Sequence, residues 1–319
     1  MLHNAALPRA LVLCALAGLL PLAAQACTMT ETGGLLTSVA TQRVAGGPAV
    51  TGTANFSFNC AGVVLALANG QPTLRGRIQT NTTGLTLKNG SNQIPYQIYS
   101  NTGYSAGYAS GALVVDLNGS NLVALLTAGS STSIPLYIAT TPGPNIPAGV
   151  YTDTVQVTWT YANICEGLIG ALGICVGVPN NGSTTRSVLV SLTVSNDCTI
   201  TAPPVSFGAA PLLSGFPTVS QSIGLQCSRD MVYTVGLSAG GYASGGRRRM
   251  ASGTARLAYD LFKADNTVWG SAGTARADGP GPATGASVQT IPYTARIYQD
   301  QAAPAAGTYT DNVVVDVSF

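Results

Sequence analysis

The chain has 319 residues, of which only 8% are charged, with a net charge of +2 and a single histidine. Charge this sparse excludes the basic footprint of a nucleic-acid partner. Glycine, threonine, serine, asparagine and β-branched residues abound instead, as in all-β exported proteins with many turns.

The first residues read as a secretory leader. Arg9 supplies the positive n-region, Ala10 to Leu22 the apolar core, and Ala24-Gln25-Ala26 a small-residue cleavage site, so residues 1–26 form the signal peptide. A lipid anchor on Cys27 would want an aliphatic residue at 24 and a small one at 25, and Gln25 does not fit. The apolar core is too short to span a membrane, and no later segment approaches the roughly twenty apolar residues a span needs. Cleavage removes His3 and Cys14, one of seven cysteines, leaving six cysteines and no histidine in the exported chain. Ser-His and Cys-His nucleophiles and His-ligated zinc are thereby excluded, and paired cysteines leave no thiolate. An enzyme is not expected, and no cofactor or metal is implied.

The mature chain consists of short alternating runs separated by Gly, Pro and Asn, which argues for antiparallel β-sandwiches without helices. It begins with Cys27-Thr-Met-Thr30, and a strand-like run, Asn55-Phe-Ser-Phe-Asn-Cys60, brings a second cysteine some thirty residues on. An apolar run follows, Ala61-Gly-Val63-Val64-Leu65-Ala-Leu67-Ala68. Then come Tyr96-Gln-Ile-Tyr99, a further apolar run at Leu122 to Leu126, and Ile134-Pro135. In Gly149-Val-Tyr-Thr-Asp153-Thr-Val-Gln-Val-Thr-Trp159, alternation turns Val155, Val157, Trp159 and then Tyr161 inward. Between Cys165 and Cys175 lies a second apolar stretch with Leu168, Ile169, Leu172 and Ile174, read as a loop closed by a disulfide. Arg186 to Val194 then alternates Val188, Val190, Leu192 and Val194, and this run can pair with the strand before the loop and close the sheet.

From residue 196 the sequence starts again. Cys198-Thr-Ile-Thr201 matches the first start, and Ser222-Ile-Gly-Leu-Gln-Cys227 the second cysteine. Tyr259-Asp-Leu-Phe262, Ile291-Pro292 and Ala306-Gly-Thr-Tyr309 repeat the later landmarks in the same order, and Ile78 is taken as the match of Leu237. Two homologous domains follow, 27–195 and 196–319, and the simplest disulfides are Cys27 with Cys60 and Cys198 with Cys227. The second copy ends on Thr310-Asp-Asn-Val313-Val-Val315-Asp-Val317-Ser-Phe319, with no counterpart of Arg186 to Val194. An open edge is expected there, with Val313, Val315, Val317 and Phe319 as an assembly edge that accepts a strand from another chain. With Cys27 expected as the mature N-terminus, the chain would accept a strand and have no spare segment to donate.

These residues resemble the spore coat protein U-like domain of archaic (Csu-type) chaperone-usher pili in Gram-negative bacteria. The resemblance rests on the Cys-Thr-Ile-Thr start, the second cysteine, Tyr259-Asp-Leu-Phe262, Trp269-Gly270, Ile291-Pro-Tyr293 and Ala306-Gly-Thr-Tyr-Thr-Asp311, and it covers nearly all the mature chain. It implies an immunoglobulin-like pilin fold lacking its last strand, a periplasmic chaperone that lends one, an outer-membrane usher, and replacement by an adjacent subunit's strand. A two-domain member is similar to the pilus tip adhesin, carried through the periplasm to the cell surface. Copy one departs from the pattern by carrying its own last strand and by lacking the Trp-Gly pair.

Val63, Val64, Leu65 and Leu67, with Leu168, Ile169, Leu172 and Ile174, are then candidate adhesive loops for an apolar surface or an unidentified receptor. The plainer alternatives are a buried strand for the first run and a hairpin folded back on the core for the second; Leu122 to Leu126 is better read as core. Other expectations are a lectin-like tip around Tyr99, Tyr104 and Tyr108, or a coat or adaptor subunit that binds no receptor. Arg247-Arg248-Arg249 reads as a solvated or pilus-contacting loop, Asp153 and Asp311 as turn or hydrogen-bonding residues, and the sequons at Asn81 and Asn118 carry no role.

Overall fold

The computed structural model describes residues 27–60, 71–79, 84–108, 111–118, 131–169 and 175–319. The first unit contains β1 (Cys27–Leu36), β2 (Val39–Ala40), α1 (Thr41–Gly46), β3 (Thr51–Cys60), β4 (Thr73–Gln79), β5 (Thr86–Asn89), β6 (Asn92–Tyr99), β7 (Leu113–Asn118), β8 (Ser131–Thr140), β9 (Gly149–Ile169) and β10 (Cys175–Ser195). The second contains β11 (Cys198–Thr201), β12 (Val219–Cys227), β13 (Thr234–Leu237), β14 (Arg248–Ser252), β15 (Ala255–Phe262), β16 (Ala277–Asp278), β17 (Gln289–Ile297) and β18 (Val315–Ser318). Each unit buries its own apolar cluster, as the period-two alternation of its strands requires.

The two units share one topology. The order β1-β3-β8-β6-β5 in the first corresponds to β11-β12-β17-β15-β14 in the second, and β9-β4-β7 to β18-β13-β16; in the first unit both runs belong to one ten-stranded sheet, joined where β5 meets β9 and through β10, whereas in the second they are separate sheets. Register confirms the sequence matches at the residue level: Ile78 faces Val157 as Leu237 faces Val315. The core is resized between copies by a paired exchange. Gly76 lies opposite Trp159 where the second unit has Val235 opposite Val317, and a Cβ on Gly76 would sit 2.6 Å from the indole ring. The second core receives its own indole from Trp269, which is fully buried against Tyr293.

Two expectations need correction. A short helix is present, α1, seated by buried Thr41 and Val44 at a spacing of three; six residues are too few to show a period in sequence. The sheets are also not wholly antiparallel, since β10 runs antiparallel to β9 but parallel to β1 and β2. A last strand that closes a sandwich lies between the chain's final hairpin and its first strand, and so must run alongside the latter.

The units meet through a polar junction around Asp197, between β10 and β11. Its carbonyl accepts from Ser228 N at 3.0 Å, and its carboxylate accepts from Thr41 at the start of α1. Arg229 donates to Asn145 O at 2.7 Å and to the Asn92 side chain, and Asn145 donates to Thr284 O at 2.8 Å.

Candidate functional site

The difference between the units lies along one strand. In the first, β9 is covered by β10, whose Val188, Val190, Leu192 and Val194 face Val155, Asp153, Tyr151 and Gly149 and are at most 2% exposed. Val155, Val157 and Trp159 beneath them are buried. In the second, β18 pairs with β13 on one side, and among the described residues no strand pairs with its other side. Val313, Val315 and Val317, matches of those buried residues, are only half-buried, and Phe319 is 67% exposed. The same alternation gives opposite burial because one copy has a covering strand.

Where β10 would lie, the second unit has a groove. A cavity of about 360 Å³ is walled by Ala202 to Val205 and Phe207 on one side and by Tyr309 to Val313 with Val315 on the other, over Ile223, Leu237, Leu261 and Tyr293. A second cavity of about 670 Å³, sharing Val205, Phe207, Met250, Tyr309 and Thr310 with the first, extends it past Leu213 and Phe216 to Ala303. The groove is thus lined mainly by apolar side chains, with residues 309–313 and Val315 at the start of β18 as one lip.

The polar fittings beside β18 hold that lip in place. Tyr259 Oη donates to Asp311 Oδ2 at 2.8 Å, repeating Tyr96 and Asp153 of the first unit at the same distance. Burial, and then the carboxylate beside each ring, pushes both phenols far above the usual tyrosine range, so both stay neutral donors. Asp311 and Asp153 are hydrogen-bonding residues, as the sequence suggested. Each unit also turns its corner identically: Tyr151 Oη donates to Pro147 O and Tyr309 Oη to Ala305 O. Arg276 pairs with Asp316 of β18 at 2.6 Å, and Ser238 Oγ accepts from Val314 N at 2.8 Å. Arg248, read from sequence as part of a solvated triplet, is instead buried. It pairs with Asp260 at 2.9 Å and donates to the carbonyls of Leu237, Ser238 and Trp269, while Arg247 stacks 3.9 Å over Tyr298 and is held by Asp300. A run of arginines in a glycine-rich context reads as solvent-facing; the partner that buries Arg248 comes from β15.

The cysteines and apolar runs are placed as follows. Cys198 and Cys227 form a disulfide and face each other across β11 and β12, and Cys27 faces Cys60 in the same way across β1 and β3. Cys165 faces Pro179, and Cys175 faces Ile169, so the two cysteines are offset along the hairpin. Leu168 and Ile169 end β9, paired with Val176 and Cys175. Leu172, Ile174, Val63, Val64, Leu65 and Leu67 lie outside the described residues, as do Leu122 to Leu126, the leader, and all or part of both sequons. Of the tyrosines expected to cluster, Tyr99 and Tyr104 meet and are joined by Tyr137, which the sequence did not single out; Tyr108 turns away and donates to Val114 O.

The Spore Coat Protein U domain profile matches residues 14–158 and again 184–316. Among curated proteins none matches the chain in sequence. Among solved structures, the chain is similar to the tip subunit in the CsuC-CsuE chaperone-tip adhesion subunit pre-assembly complex of Acinetobacter baumannii archaic Csu pili, with 26% identity, a TM-score of 0.60, and coverage of 92% of this chain and 100% of that one. The CupB6 tip adhesin of Pseudomonas aeruginosa also matches, at 13% identity and a TM-score of 0.38 over 92% of this chain and 94% of that one. With two profile matches that together span most of its length, the chain belongs to the spore coat protein U domain family.

Proposed function

We propose that the chain is the tip subunit of an archaic chaperone-usher pilus of a Gram-negative bacterium, exported through the periplasm after loss of residues 1–26. The observation that carries this is the contrast between β9, covered by β10, and β18, which borders an apolar groove on its other side. Likeness to the tip subunit of a chaperone-tip complex supports it. The first unit, residues 27–195, is the adhesive domain; the second, 196–319, accepts a strand first from a periplasmic chaperone, then at the outer-membrane usher from an adjacent pilin subunit.

The first unit also specifies the incoming strand. Its register transfers pair by pair, so the donor runs antiparallel to β18 and places apolar side chains opposite Val313, Asp311, Tyr309 and Gly307, as Val188, Val190, Leu192 and Val194 do opposite their matches. Val313 and Val315 line the groove, and Val315 also faces Leu237 of β13; Val317, facing Val235, and Phe319 lie outside its lining.

Adhesion is assigned to the apolar segments Val63, Val64, Leu65 and Leu67, and Leu168 and Ile169 at the end of β9 with Leu172 and Ile174 after them in sequence, which would bury apolar area on contact with an apolar surface or a receptor during biofilm formation. Replacing Leu168, Ile169 and Leu172 by serine is expected to reduce attachment of piliated cells to plastic to background while surface pilus yield stays normal. Unchanged attachment would remove the loops from the adhesive surface.

A Cys165–Cys175 bridge would hold the second loop. The observed hairpin offsets these residues by four positions, and bridged Cα atoms lie within about 7 Å, so the bridge requires the hairpin end to slip along its ladder. Peptide mapping of the unreduced protein is expected to recover the Cys27–Cys60, Cys165–Cys175 and Cys198–Cys227 pairs; free thiols at 165 and 175 would show that the register holds and the bridge does not form.

A further inference from the structure

The outer face of the first unit is an uncharged polar sheet surface crossed by aromatic rings. On β1, Thr28, Thr30 and Thr32 face Asn59, Ser57 and Asn55 of β3, and the row continues onto Ser133 and Pro135 of β8. Outward positions of β1, β3, β8 and β6 carry no Asp, Glu, Lys or Arg; Glu31 falls on the other phase of the alternation. Across the same four strands runs one row of larger residues, Leu35, Thr53, Tyr137 and Tyr99, which face one another in register. At the usual strand spacing this row is about 15 Å long.

The loop after β6 brings a third ring to its end. Tyr104 packs edge-on at 5.6 Å from Tyr99 and 6.4 Å from Tyr137. Its φ of 51° lies in the left-handed region, unusual for a bulky residue and a form of strain that collects at binding sites. Asn101 holds that conformation: its Oδ1 accepts from Ser105 N at 3.2 Å and Ala106 N at 3.3 Å, and its Nδ2 donates to Ser105 Oγ at 2.8 Å. The three rings are half-buried, and Leu35 at the far end is 74% exposed.

We infer that this face is a binding site for a neutral polysaccharide chain. Tyrosine rings offer apolar faces to the axial C–H groups of a sugar, while the flanking amides and hydroxyls suit its hydroxyls. Charge selects among polymers: nucleic acids and acidic polysaccharides require cations, which β1, β3, β8 and β6 lack on this face, the nearest being Lys88 on β5, paired with Gln93 at the other end of β6 from Tyr99, and a lipid or plastic surface would find mostly Thr, Ser and Asn. The site lies on the sheet rather than on the apolar loops, and is independent of their role.

Retention of the full mature chain on insoluble cellulose and chitin, with polygalacturonate as the anionic control, tests the inference. The expected result is retention on at least one neutral polymer, unchanged by 1 M salt and by the Leu168, Ile169 and Leu172 serine replacements, and absent on polygalacturonate. Tyr137→Ala and Tyr104→Ala should each weaken retention about tenfold, the scale of one lost ring contact, whereas Tyr137→Phe, which keeps the ring, should retain most of it at an unchanged melting temperature. No retention on either neutral polymer overturns the inference. So does retention that salt abolishes, or Tyr104→Ala lowering the melting temperature without affecting retention, since the rings would then only pin the loop.

Discussion

A peptide copying Arg186 to Val194, added to the mature chain at a hundredfold excess over its dissociation constant, should raise the melting temperature of the second unit by roughly 10 °C. Saturation of that order adds about 2.7 kcal/mol to a folded state that alone binds the ligand, and a domain of this size gains a few degrees per kcal/mol. The source of the energy is burial, because each apolar side chain moved fully from water into the groove is worth about 1.5–3 kcal/mol, less the cost of ordering the peptide. A peptide with serine at the four alternate positions keeps the backbone hydrogen bonds and loses that burial, so it should leave the melting temperature unchanged. The corresponding cut makes the same point: residues 27–195 should fold alone, because β10 already fills its place between β9 and β1. Residues 196–319 should aggregate until the peptide or a chaperone is supplied. Equal behaviour of the two fragments, or equal effects of the two peptides, would sink the strand-acceptor reading.

The second large effect is expected at Arg248→Ala, which should cost about 3–5 kcal/mol in urea unfolding of the second unit. Arg248 and Asp260 are 4% and 1% exposed, so truncation strands a carboxylate in the core and leaves the carbonyls of Leu237 and Trp269 without their donor. Arg75 and Asp116 in the first unit make an equally close contact, 2.8 Å against 2.9 Å, but are 49% and 41% exposed. Arg75→Ala should therefore cost less than about 1 kcal/mol, since water solvates what the pair gives up. Because Arg248 holds the end of β13, against which β18 pairs, its loss should also weaken uptake of the donor peptide. Similar costs for the two substitutions would show that Arg248 is not an anchor of the acceptor edge.

Much of the fold was legible because each unit writes its landmarks twice. The paired cysteines, the Tyr of β6 and β15, and the Tyr-Thr-Asp near the start of β9 and just before β18 have fixed geometric jobs that both copies meet with the same residue types. Alternation placed Val155, Val157 and Trp159 inward because a strand's side chains leave a two-layer sandwich no third choice. What failed were features without a period or with a remote partner. Six residues of α1 are too short to announce themselves, and the burial of Arg248 depends on an aspartate that approaches across a sheet. The Tyr104 platform was half visible: Tyr99 is near in sequence, but Tyr137 joins them only because β6 and β8 pair in that register.

The class of the protein, the repeat, and a covering strand in the first copy, Val188 to Val194, were all legible in the sequence. Local periodicity and composition are enough for that, since they depend on residues a few positions apart. Strand pairing across the whole unit set this strand beside β1 in parallel, and left a lined groove at its counterpart position in the second unit. It also moved a tryptophan from Trp159 in one core to Trp269 in the other, and joined three tyrosines on an uncharged face. Those outcomes rest on which strands become neighbours, a choice fixed by the burial of whole faces at once.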